Sequence, residues 1–224
     1  MLLFRLLNKD VSISVFEELA VDIQENLIMH FADEKAVSWI ISEMKPDYRV
    51  RLLDELPAKV AKEFIRRIPE EERGNTAALL GYEPESAGWV MTPEYISLKA
   101  NMTVVEALAT IRKKRASAET VCVLYVTDEE RKIKGVLSLG ELVTASESQT
   151  IKEIMTKKVI KIYTDSDQEE AARLLQERDL LAVPVVDKEE RLVGIVTVDE
   201  VLDILEEETT EDMFDKVVLS DVLR

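Results

Sequence analysis

The chain has 224 residues, 46% of them apolar, and its 29 Lys and Arg against 45 Asp and Glu leave a formal net charge of −16. That apolar content fills one large core or two small ones, while the charge repels phosphate backbones and anionic headgroups, which excludes binding to nucleic acid or to a membrane surface. No apolar run approaches the ~20 residues of a membrane-spanning helix, MLLFRLL at residues 1–7 has no signal-peptide cleavage pattern, and one cysteine permits no disulfide framework, so a soluble, cytoplasmic chain is expected.

Up to about Gly81 the sequence predicts a train of short helices repeating at roughly a dozen residues, from KDVSISVFEEL through KPDYRVRLLDEL and PAKVAKEFIRRI to PEEERGNTAALL. Pro46, Pro57 and Pro69 stand at unit starts, where the missing amide proton costs nothing. Helices this short cannot each bury a face alone, so they are expected to stack into a small superhelical bundle. GYEPESAG at residues 81–88 reads as a connector.

Strands then alternate with helices in two halves that echo each other in a β-α-β-β-α order. The matching points are Met91 with Met155, Val123 with Val183, Gly135 with Gly194, and Glu141 with Glu200. Cys122, in the run VCVLYV, reads as a small buried hydrophobe. The halves end in GVLSLGE and GIVTVDE, where Ser138 and Thr197 read as cap or strand-end residues with no base beside them. His30 is the single histidine, which excludes multi-His zinc sites, and it reads as structural. Trp39 and Trp89 read as packing residues, no glycine-rich phosphate loop is present, and nothing argues for an enzyme.

The last stretch, VDEVLDILEEETTEDMFD at residues 198–215, carries nine carboxylates and no base, with Glu200, Asp203, Glu207 and Glu211 along one helical stripe. Like charges at such spacing weaken a helix and ask for a counter-ion. A hard cation such as Mg²⁺ takes oxygen ligands and keeps most of its waters on one or two carboxylates. A plain solvated acidic face is the other reading of the same residues.

The paired GVLSLGE and GIVTVDE signatures resemble a tandem pair of CBS domains, a Bateman module. Together with the helical train, AGWVMTPEY and EEETTEDM, they resemble the cytosolic part of MgtE-type magnesium channels and transporters. The resemblance implies an α plus α/β architecture: a helical superhelix at 1–81, CBS domains at 82–148 and 149–205, and an acidic connecting-helix segment at 206–224. It implies a Mg²⁺-sensing regulatory region in which Asp47, Glu169, Asp179, Glu200, Asp203, Glu208 and Glu211 hold ions and favour a compact, closed state. Arg51 and Ser14, where the family pattern would supply further acids, imply fewer bridging sites. It also implies a homodimer through the CBS domains, a transmembrane pore domain after this segment, and a place on the cytosolic face of the cell membrane. The alternative is a regulatory adaptor binding ATP or another adenine nucleotide, with Glu141 accepting the ribose hydroxyls; Gly140 and Leu180 are poor neighbours for phosphate and base.

Overall fold

The computed structural model describes residues 9–17, 19–30, 34–115 and 118–202. By its internal contacts the chain divides into a first unit, residues 1–82, and a second, residues 83–224.

Among the described residues the first unit holds six helices of nine or ten residues, α1 (Lys9–Glu17), α2 (Val21–His30), α3 (Glu34–Glu43), α4 (Pro46–Glu55), α5 (Ala58–Arg67) and α6 (Glu70–Leu79). The prolines set this rhythm from both sides. Lys45, Leu56 and Ile68 each precede a proline and are extended, with ψ of 147°, 139° and 130°, so each proline ends one helix before it starts the next. Pro46 is the first helical residue of α4, whereas Pro57 and Pro69 occupy the N-cap itself. α3 packs on α1 and α5, α4 on α5 and α6, and α2 on α5. Phe16, Ile28, Ile41, Leu53, Val60, Phe64 and Ile68 form the shared core, with Trp39 packed against it.

The second unit contains two three-stranded sheets with the same plan. In the first, β1 (Ser97–Leu98) pairs in parallel with β2 (Val123–Thr127), and β2 pairs antiparallel with β3 (Ile133–Ser138). In the second, β4 (Ile162–Tyr163), β5 (Ala182–Val186) and β6 (Leu192–Thr197) repeat this order. The crossover helices are α8 (Val104–Lys114) and α11 (Gln168–Arg178), α9 (Leu139–Thr144) follows β3, and residues 198–202 are helical after β6. The short helices α7 (Ala87–Val90) and α10 (Ile151–Ile154) lead into the repeats.

The ladders keep Gly135 with Gly194 and move only the partner of Val123, by one residue. Val123 pairs with Ser138 and Ala182 with Thr197, so Val123 corresponds to Ala182, an offset of 182 − 123 = 59. The N-caps Thr103 and Asp167 differ by 167 − 103 = 64. The first repeat spends the extra five residues between helix and strand, at 115–122 against 179–181. Cys122 ends that longer loop and is exposed, a correction to its reading as a buried residue; its counterpart at offset 59, Leu181, is 56% exposed.

Each repeat is completed by the lead segment of the other. Ile151, fully buried, lies in the first repeat's core beside Leu98, Leu124 and Leu137, and its amide donates to the Met102 carbonyl at 2.8 Å. Thr156 and Val136 exchange backbone bonds at 2.8 and 2.9 Å, and Thr92 and Ile195 do the same at 2.9 Å each. The paired glycines are the contact points: a Cβ on Gly135 would lie 2.6 Å from the Met155 sulfur, and one on Gly194 2.5 Å from that of Met91. Only glycine admits so close an approach. Between the sheets, Tyr125 turns away from the first core and packs with Ala182, Leu192 and Ile195 of the second repeat.

Candidate functional site

The two signature acids of the repeats are first of all helix caps. Ser138 is the N-cap of α9; its hydroxyl accepts from the Glu141 amide at 3.1 Å, and Glu141 Oε2 accepts from the Ser138 amide at 2.6 Å and hydroxyl at 2.9 Å. This is a capping box, which satisfies amide protons that a helix start otherwise leaves without partners. Glu200 repeats the carboxylate half of it: its Oε2 accepts from the Thr197 amide at 3.0 Å and from the Thr197 hydroxyl. The environments differ, because Glu141 and Ser138 are exposed whereas Glu200 and Thr197 are 5% and 4% exposed. Glu141 therefore faces solvent beside open space: a Cβ on Gly140 would meet only the Ser138 hydroxyl, at 3.8 Å. Leu180 is half-buried.

Equivalent boxes recur at Thr103 with Glu106 and Thr150 with Glu153. The amide of Thr103, and then its hydroxyl, hold the Glu106 carboxyl below its ordinary range, and Thr150 does the same for Glu153.

The acids proposed for ions are dispersed. Glu169 is exposed in the first turn of α11, where its amide donates to the N-cap carboxylate of Asp167 at 2.7 Å. Asp179 caps the other end of the same helix in the left-handed region, with φ 50° and ψ 44°. Ten residues of helix at ~1.5 Å each put these two about 15 Å apart, too far to share one ion. The chain beyond Asp179 runs beside the start of the 198–202 helix, where the Val198 amide donates to the Leu181 carbonyl at 3.1 Å. Asp47 is 2% exposed within the first unit's own α4, not on its surface. Arg51 and Lys45 each lie 5.8 Å from the Tyr48 ring centre, and Ser14 is exposed. Asp203, Glu208 and Glu211 lie outside the described residues, as does Glu207. Among the described residues no three His, Cys, Asp or Glu side chains converge as a metal-ion cage. What they offer is single exposed carboxylates, donors suited to an ion that keeps its waters.

Two features had no sequence signal. Tyr95 stacks edge-on to Tyr125, with centroids 6.4 Å apart and planes at 88°, and its hydroxyl donates to the Leu192 carbonyl at 2.9 Å across the repeats. The Tyr125 hydroxyl is buried with no hydrogen-bond partner among the described residues, and burial pushes its pKa well above the ordinary tyrosine value. The second feature is the carboxylate of Glu190, which receives both the Lys161 ammonium and the Tyr163 hydroxyl. No helix among the described residues is long and apolar enough to cross a membrane.

Comparison with known proteins gives these parts counterparts. Residues 1–85 match the family model of the MgtE intracellular N domain, and residues 88–148 and 151–207 each match that of the CBS domain. The magnesium transporter MgtE of Thermus thermophilus is 50% identical over 141 residues, covering 63% of this chain and 31% of that protein. MgtE of Bacillus subtilis is 33% identical over 172 residues, 77% of this chain and 38% of that one. The chain thus spans about a third of the length of these relatives. A crystal structure of the cytosolic domain of the Mg²⁺ channel MgtE in complex with ATP matches with a TM-score of 0.86 and 38% identity, covering 91% of this chain and 83% of that one.

Proposed function

The chain belongs to the MgtE family, and from that premise we propose that it is the Mg²⁺-responsive regulatory region of a magnesium transporter or channel, acting on the cytosolic side of the membrane. The observation that carries the reading is the likeness to the solved MgtE cytosolic domain over nine-tenths of the chain. Supporting it are the net charge of −16 and the exposed carboxylates at Glu169 and Asp179. Asp47, Glu200, Asp203, Glu208 and Glu211 complete the proposed ion set, and a pore domain of the kind found in transporters is the proposed recipient of the signal.

The mechanism is linkage between two forms. Ions that bind a compact form more tightly draw the population towards it. One site with a Kd near ~1 mM shifts the equilibrium by only about 0.4 kcal/mol at ~1 mM ion, so several sites must act together for a decisive switch. Dimerisation through the CBS repeats is part of the proposal. Val143 and Leu202, equivalent positions at 202 − 143 = 59, are left 63% and 55% exposed, as an apolar face awaiting a second copy would be.

The test is small-angle scattering and limited proteolysis with and without millimolar Mg²⁺. A smaller radius of gyration and slower cleavage with Mg²⁺ are expected; no change in either sinks the reading. A second reading, nucleotide sensing, is favoured by the exposed Glu141 and by the ATP bound to the MgtE cytosolic domain. Titration calorimetry with ATP and AMP decides it, and Glu141→Ala should abolish the heat.

A further inference from the structure

Residues 83–92 precede the first repeat in sequence, yet they are stitched to the second. The amides of Ala87 and Gly88 donate to the carbonyls of Ser166 and Thr164 at 2.7 and 3.0 Å. In return the Gln168 amide, at the start of α11, donates to the Glu85 carbonyl at 2.8 Å. A helix start leaves such amides without intrahelical partners, so this segment completes α11. Ala87, Gly88, Trp89, Val90 and Met91 are all buried. Ser86 braces the bend, its hydroxyl donating to the Glu83 carbonyl at 2.6 Å and accepting from the Trp89 amide at 3.3 Å.

Two features work against this docking. Glu85 is held at φ 63°, a conformation unfavourable for a residue with a side chain. Glu83 and Glu85 are exposed on the segment, and Asp165, Asp167, Glu169 and Glu170 are exposed on the stretch that receives it. Like charge on both sides lowers the free energy of opening relative to a neutral junction.

We propose that residues 83–90 are a latch on the second repeat that opens and closes as one piece with the first turn of α11. Release also takes the partner of the Gln168 amide from the first turn of α11, so the two segments open together. The latch goes beyond cation sensing and does not require it.

Hydrogen exchange by mass spectrometry on the whole 224-residue chain, without divalent ions, tests the latch. Ser86→Ala should speed exchange at residues 86–90 and 164–170 together, about fivefold, as expected for loss of a capping hydroxyl, and leave β2 and β3 unchanged. Glu85→Gly should slow both segments together, because glycine accepts the positive φ. Acceleration of 86–90 without 164–170, or equal acceleration through β2 and β3, overturns the latch. Should Ser86→Ala fail to fold, Glu85→Gly alone decides: coupled slowing supports the latch, and its absence overturns it. A chain that shows the coupled exchange but no Mg²⁺-dependent compaction keeps the latch and loses the sensing reading.

Discussion

Single residues in this chain carry strain or burial that can be tested apart from any ligand. Tyr125 buries a hydroxyl that bonds to no group among the described residues. Tyr125→Phe should therefore stabilise the fold by roughly 1 kcal/mol in urea denaturation, since an unsatisfied buried polar atom is removed while the ring packing stays. The raised pKa gives the sign for pH: the neutral phenol's contribution is full below the ordinary tyrosine value near ~10 and is lost as pH rises above it. The alkaline unfolding midpoint of the Phe variant should accordingly lie higher than that of the parent. Asp179 separates structure from ligand in another way. In the left-handed C-cap, Asp179→Gly should add about 0.5–1 kcal/mol to ion-free stability. If the carboxylate holds an ion, the same variant should respond less to Mg²⁺ in scattering; a full response removes Asp179 from the ion set. None of this was legible beforehand, because Tyr125 reads as one more β-former and a backbone angle leaves no trace in an Asp.

At the scale of elements, the Ser/Thr-x-x-Glu endings were legible, since spacing alone makes a capping box possible. Their double duty was not. Glu141 spends one carboxylate oxygen on Ser138, and whether that group faces solvent, as in α9, or is enclosed, as at Glu200, depends on packing from elsewhere in the fold. Gly140 offers the sharper experiment. The open space at its Cβ leaves room for a side chain, and a non-glycine residue there should also favour the helix by about 0.5–1 kcal/mol. Gly140→Arg is expected to raise both thermal stability and, if the Glu141 cleft takes a nucleotide, the calorimetric affinity for ATP over AMP. Higher stability with unchanged ATP binding would leave the cap and remove the cleft.

For the whole molecule, the α plus α/β plan was readable because proline spacing, helical periodicity and duplicated glycines each act locally. Chain order misled about Val123 because the first repeat's helix-to-strand loop is five residues longer, and about Cys122 because an apolar run does not say where its strand begins. The largest omission was the exchange of lead segments, since nothing local in AGWV or IKEIMT says which repeat it will cover. That exchange has a consequence for ancestry. A fragment ending at residue 148 would keep its three strands but lack Ile151 and Met155, which close its core. The two repeats are therefore arranged as the subunits of a domain-swapped dimer fused into one polypeptide, each still lending its arm to the other. Fragments 83–148 and 149–202 should each fold poorly alone and recover cooperative unfolding when mixed one to one, as an ancestral single repeat would have done by pairing with its own copy.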